Sequence, residues 1–79
     1  MDLISALQTF LRVAETGSFS AAAQERRRTQ PAISRQISAL ERHLNTRLLH
    51  RTTSGIDLTD EGQALIPLAT RVVDKPRHN

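Results

Sequence analysis

The chain has 79 residues, room for one small domain, and carries 11 Lys+Arg against 8 Asp+Glu for a net charge of +3. A chain this short buries only about 60% of its unfolded surface, which leaves no room for a core and a deep substrate pocket together. It has no cysteine, no apolar run near the roughly 18 residues of a membrane span and no signal-peptide pattern, so disulfide scaffolds, Cys-based zinc sites, thiol catalysis and membrane insertion drop out. What remains is a small, soluble, basic domain expected in the reducing cytoplasm. Lys75 is the only lysine among its cations. Arginine suits phosphate and base-edge recognition, because its planar fork donates two parallel hydrogen bonds and stays charged.

Leu3, Leu7, Phe10, Leu11 and Ala14 recur at helical spacing, widened by Ile4 and Val13, and predict a first helix stopped by Gly17 and Ser18. A second, short helix is expected from about Ser20 through Ala21, Ala22, Ala23 and Gln24, with Ser18 or Ser20 as its cap. A turn follows around Arg27, Arg28 and Thr29.

The third helix is the clearest. At 100° per residue, Ile33, Ile37, Leu40 and Leu44 fall within about 60° of one another, a buried stripe. Pro31, Arg35, Ser38 and Arg42 occupy the opposite side, with Ser34 on its flank. Thr29 and Gln30 compete as N-cap: threonine caps better, whereas Pro31 disfavours helical geometry at the residue before it. Asn45 suits the left-handed stop.

The period then changes. Leu49 to Thr53 and Ile56 to Thr59 read as the arms of a small hairpin around Ser54-Gly55. Thr59 caps a fourth helix that opens with Asp60 and Glu61 at the positive end of its dipole. Leu65, Leu68, Ala69, Val72 and Val73 give that helix an apolar side, and Pro67 is expected to remove one backbone bond and kink it.

A short helix, a tight turn and a polar-faced second helix opening Thr-Gln-Pro-Ala-Ile-Ser-Arg match a helix-turn-helix. Such a unit works when the second helix buries one face and leaves the other free for the major groove. Its first residues reach deepest, so Gln30, Pro31, Ser34 and Arg35 are the candidate base readers. Glutamine pairs bidentately with adenine, arginine with guanine, serine with several partners, and Pro31 offers an apolar surface to a thymine methyl. Ser38 and Arg42, further along, belong nearer the backbone.

The three histidines are separated by seven or more residues on different elements, so no metal or cofactor site is expected. Ser34, Ser38 and Glu41 share one helix without a base to activate a nucleophile, so no enzymatic activity is expected. Arg35 and Arg42 have a plainer reading as surface cations paired with Glu41 or other nearby acids.

The ordered motifs, Met-Asp-Leu at 1–3, Phe10 with Val13-Ala14-Glu15, Gly17-Ser18-Phe19-Ser20, Ala22-Ala23, Thr29 through Ile37, Leu40-Glu41, Leu44, Leu48, Arg51-Thr52 and Leu58-Thr59-x-x-Gly62, resemble the N-terminal DNA-binding domain of LysR-type transcriptional regulators. The resemblance covers about residues 1–73. It implies a mainly α, winged helix-turn-helix fold: a three-helix core, a two-stranded wing and a C-terminal linker helix. The implied organisation is a DNA-binding domain over 1–59, with the helix-turn-helix at about 19–44 and the wing at about 48–59, a linker helix over 60–74 and a frayed tail over 75–79.

The implied partners are double-stranded DNA, at a partly palindromic operator, and a second copy paired through Leu65, Leu68, Val72 and Val73 of the linker helix. Base contacts fall on Gln30, Pro31, Ser34 and Arg35, and backbone contacts on Ser20, Thr29, Ser38, Arg42, Arg51, Thr52, Thr53 and Ser54. An alternative is an interaction module that pairs with full-length regulators through the linker helix and poisons them.

Three departures stand out. Arg26 and Arg28 replace residues that are usually apolar. Phe19, Ala22, Ala23 and Arg26 share one stripe, and a buried unpaired arginine costs several kcal/mol, so both side chains are expected to snorkel outward from a destabilised domain. Ser54-Gly55 stand where many relatives carry wing arginines. The family's effector-sensing domain is missing, so the expected module reads DNA and has no small-molecule effector site.

Overall fold

The computed structural model describes residues 1–53 and 55–74; Ser54 and the expected tail at 75–79 lie outside the described residues. Helices α1 (Leu3–Thr16), α2 (Phe19–Arg26) and α3 (Gln30–Leu44) come first, then strands β1 (Leu49–Thr52) and β2 (Gly55–Leu58), then α4 (Asp60–Asp74). This is the winged helix-turn-helix order read from the sequence.

Each boundary has a local cause. The Asp2 carboxylate accepts from Ser5 N at 3.2 Å to open α1, and Gly17 at φ 69° closes it, its N–H donating to Val13 O at 2.8 Å. Ser18 Oγ accepts from Ala21 N at 3.1 Å, so α2 starts at Phe19 and Ser20 lies inside the helix. Arg27 adopts the left-handed conformation at φ 56°, and Arg28 N donates back to Ala23 O at 2.8 Å. Thr29 is the cap of α3: its hydroxyl accepts from Ala32 N at 3.2 Å, leaving Gln30 and Pro31 in the first turn. Asn45, at φ 55°, ends it.

The core collects Ala6, Leu7, Phe10 and Val13 from α1, Ala22 and Ala23 from α2, Ile33, Ile37 and Leu40 from α3, Leu48 and Leu49 at the wing, and Ala69 from α4. α1 packs against the other three helices and α2 against α3. Truncating the fully buried Phe10 to alanine belongs to the class that costs about 3–5 kcal/mol. Thr9 is buried too, and its hydroxyl donates to Gln36 Oε1 at 2.7 Å while Gln36 Nε2 donates to Ser5 Oγ at 3.1 Å. A polar tie between α1 and α3 is therefore built into the apolar interface.

Three expectations need correction. Leu44 continues the angular stripe of α3 but is 39% exposed, because the last turn of the helix runs past the core; Leu3 and Ile4 are left exposed at the start of α1 in the same way. The hairpin is displaced by one residue from the expected position: Thr52 pairs with Gly55, so Gly55 belongs to β2 and the strands end at Thr52 and Leu58.

Arg26 does not snorkel outward. It is half-buried against α1, donating from Nη2 to Ser5 Oγ at 3.2 Å and Gln8 Oε1 at 3.5 Å, and its buried Nε has no partner. Polar residues on α1 receive the guanidinium that a stripe of alanines could not. Arg28, by contrast, is exposed as expected.

The start of α4 locks onto the wing. Thr59 Oγ1 accepts from Gly62 N at 2.9 Å and donates to Arg47 O at 2.6 Å, while Thr59 N donates to Leu48 O at 3.0 Å. Pro67 lies inside α4, which continues to Asp74. Ile66, Ala69 and Val73 face the core, and at 100° per residue Leu68 and Val72 lie about 130° and 90° round from their mean direction. Leu68 and Val72 are accordingly 55% and 49% exposed, whereas Leu65 and Val73 pack partly against the domain's own core.

Candidate nucleic-acid interface

The exposed side of α3 follows from what its buried side does. Ile33, Ile37 and Leu40 pin the helix, which turns Gln30, Pro31, Arg35 and Arg42 to solvent and leaves Ser34 and Ser38 half-buried on the flank. Thr29 satisfies one of the free amides at the positive end of α3 while remaining exposed itself.

That flank faces the wing. Glu41, with only 14% of its side chain exposed, accepts from Leu48 N at 2.8 Å and Leu49 N at 3.2 Å, with Arg47 at 3.6 Å. Two backbone amides at the wing's root therefore hang on one carboxylate of α3, a charge-assisted arrangement. Glu41 is thus spent on the wing, and no acid forms an ion pair with Arg35 or Arg42 among the described residues. The reading of those two arginines as paired surface cations loses its partner.

The candidate residues form two groups. Phe19, Gln30, Pro31, Ser34 and Arg51 line one open concavity of about 440 Å³. Its floor is organised: the Arg51 guanidinium lies 4.8 Å from the Phe19 ring centroid, and Nη2 donates to Ser34 Oγ at 3.4 Å. Ser38 and Arg42 line a second groove of about 580 Å³ with Asn45, Thr46 and Arg47.

Ser20, Thr52 and Thr53 are exposed, and Thr52 Oγ1 donates to Gly55 O at 3.3 Å; the Ser54 assignment lies outside the described residues. Arg47 and Glu41 are the residues the sequence reading missed. Glu41 carried a faint signal, lying seven positions from Ser34 and so on the same face of α3.

Apart from these contacts, Arg12 ties α1 to α2. Its Nε donates to Glu25 Oε1 at 2.7 Å and its Nη1 to Glu15 Oε1 at 2.7 Å. The hydrogen bond from Arg12 holds the Glu25 carboxyl below its usual range; the attraction of the two charges adds to this, and desolvation opposes it.

Residues 4–63 match the family model described as bacterial regulatory helix-turn-helix protein, lysR family. The chain belongs to the lysR family. An HTH-type transcriptional regulator in the ibpB–leuC intergenic region of Azotobacter vinelandii is 49% identical over 73 residues, 92% of this chain and 50% of that protein. The HTH-type transcriptional regulator YhjC of Escherichia coli is 47% identical over 73 residues, 92% of this chain and 24% of that protein. This LysR-type chain thus spans half or less of these two relatives.

Among solved structures, a complex of the CbnR DNA-binding domain with DNA superposes with a TM-score of 0.86 at 40% identity, covering 94% of this chain and 84% of that one. The BenM DNA-binding domain on catB site 1 DNA superposes with a TM-score of 0.86 at 34% identity, covering 94% and 82%. The LysR-type winged helix is therefore shared along almost the whole of the chain.

Proposed function

We propose that this LysR-type domain is the sequence-reading head of a transcriptional regulator and lays α3 in the major groove of double-stranded DNA. The observation that carries the reading is the division of α3: Ile33, Ile37 and Leu40 are buried, while Gln30, Pro31 and Arg35 are exposed towards its capped N-terminal end. The likeness to two domains whose structures are DNA complexes supports it. Arg35 reads guanine through its fork, Gln30 reads adenine, Pro31 meets a thymine methyl, and Ser34 bonds a base edge. Ser20, Thr29, Ser38, Arg42, Arg51, Thr52 and Thr53, with Ser54, serve the phosphate backbone and fix the register. Arg47 joins Arg42 in that role, since the two share one groove.

The domain acts as a dimer on a partly palindromic site. Leu65, Leu68 and Val72 follow an i, i+3, i+7 seam on α4, and the exposed Leu68 and Val72 support its use between copies. Val73 serves the domain's own core first. Two reading heads then sit about 34 Å apart, one turn of DNA, or a multiple of that.

Binding-site selection from random DNA, with sedimentation of the complex at the same concentration, tests both parts. A two-fold repeated motif bound by two chains is the expected result. Enrichment of no motif would remove sequence reading, and a single half-site bound by one chain would remove the dimer.

A further inference from the structure

The Phe19–Arg51–Ser34 contact does more than place a cation near phosphate. Serine carries one O–H and two lone pairs, whereas a guanidinium only donates. In taking Arg51 Nη2 at 3.4 Å, Ser34 Oγ must act as acceptor. Its own hydroxyl proton has no protein acceptor among the described residues, and Ser34 lines the open concavity beside Gln30 and Pro31. The positive charge alongside Oγ also repels any second donor approaching the remaining lone pair.

Arg51 is itself held in place. Its guanidinium stands over the Phe19 ring at 4.8 Å, within the roughly 6 Å at which a cation is drawn to an aromatic face. It projects from β1, whose register with β2 pairs Arg51 with Ile56. A wing residue stacked on the first residue of α2 thus reaches one hydroxyl of α3.

We infer that Arg51, steadied by Phe19, fixes Ser34 as a hydrogen-bond donor to DNA, which makes Arg51 and Phe19 positioning residues for the base that Ser34 reads. This rests on the proposed reading of Ser34 as a base contact. A free serine bonds donors and acceptors alike, but a serine held as donor does not. In the major groove guanine offers N7 and O6, adenine N7 and thymine O4, all acceptors, whereas cytosine offers only its N4 amino donor. The clamp therefore excludes cytosine at one position. Among the described residues the other N–H groups of Arg51 have no acceptor, which leaves them to a phosphate.

The test is equilibrium competition on the selected site, with each position changed in turn to all four base pairs, for wild type, Ser34→Ala, Phe19→Leu and Arg51→Met. Ser34→Ala identifies the position. There wild type disfavours cytosine by about fivefold or more, and Phe19→Leu and Arg51→Met each bring that penalty to about twofold or less, with preferences at all other positions unchanged.

Phe19→Leu keeps the salt slope of wild type, because it removes no cation. Arg51→Met lowers the magnitude of the slope by about one for each protomer that loses a phosphate contact. A cytosine penalty that survives in both variants overturns the clamp, whatever the slope does, and leaves the proposed function standing. A wild type that selects no site overturns both. Should Phe19→Leu not fold, Arg51→Met, at an exposed position, decides alone.

Discussion

Gly62 is the position where a single methyl group does most damage. It is buried in the first turn of α4, and a Cβ built there would lie 2.2 Å from Leu48 O and 3.1 Å from Leu48 C. Ordinary carbon contacts begin near 3.4 Å, so backbone must move by roughly an ångström, and no flexible side chain can yield instead. The same Leu48 carbonyl accepts from Thr59 N at 3.0 Å, and Leu48 N is held by Glu41, so displacement loosens the hinge between α3, the wing and α4 together. Overpacking of this kind costs about 1–3 kcal/mol, and a lost hydrogen bond adds about 1 kcal/mol.

For a domain of this size Gly62→Ala is therefore expected to lower Tm by about 10–20 °C, measured by thermal unfolding followed by circular dichroism. Gly17→Ala is the control. Gly17 has a positive φ of 69° but nothing within 4 Å of a built Cβ, so it carries only the left-handed penalty of about 1 kcal/mol. Equal losses in the two variants, or a Tm for Gly62→Ala within about 2 °C of wild type, would refute the steric reasoning.

Arg26→Leu removes the buried unpartnered Nε and is expected to stabilise the domain by about 1 kcal/mol in urea unfolding, while Arg28→Val, at an exposed site, stays within about 0.5 kcal/mol. A loss of stability in Arg26→Leu would mean that the bonds to Ser5 and Gln8 outweigh the orphaned donor. Glu41→Ala leaves Leu48 N and Leu49 N without their acceptor and is expected to cost about 2–3 kcal/mol, with faster amide exchange at the wing's root than elsewhere. Because the folded Glu25 carboxyl lies below its unfolded value, the contribution of its pair with Arg12 is full above the usual carboxylate range and disappears as pH falls through the lowered folded value. The Tm gap between wild type and Glu25→Gln, small because both side chains are exposed to screening, should close on acidification from about pH 6. A gap that widened would reverse the sign of the coupling.

The helix order and the exposed face of α3 are legible in the sequence because periodicity and caps are local. Ile33, Ile37 and Leu40 share an angle, and Thr29, Pro31 and Asn45 mark the ends. What failed depends on neighbours remote in the chain. Leu44 shares the angle of the buried stripe, but the core ends before it. Arg26 looked misplaced on an alanine-rich face because nothing in its own helix reveals Ser5 and Gln8 on α1.

The hairpin departs from its expected position by one residue because glycine is the typical turn residue, whereas Gly55 pairs with Thr52 inside the ladder. Glu41 was missed as a structural residue because its partners are backbone amides, which have no residue type to recognise. The same holds for the grouping of Arg51 with Ser34 and Phe19, three residues from three elements that only the fold brings together.

The central claim is that the free face of α3 reads base sequence, and Arg35 tests it most directly. The measurement is Kd for wild type and Arg35→Ala on the selected site and on a scrambled duplex at the same salt concentration. On the selected site Arg35→Ala is expected to lose about 1–3 kcal/mol and to relax the preference at one base pair, with a much smaller loss on scrambled DNA. Equal losses on the two duplexes, with the base preference intact, would make Arg35 a phosphate contact and contradict the claim.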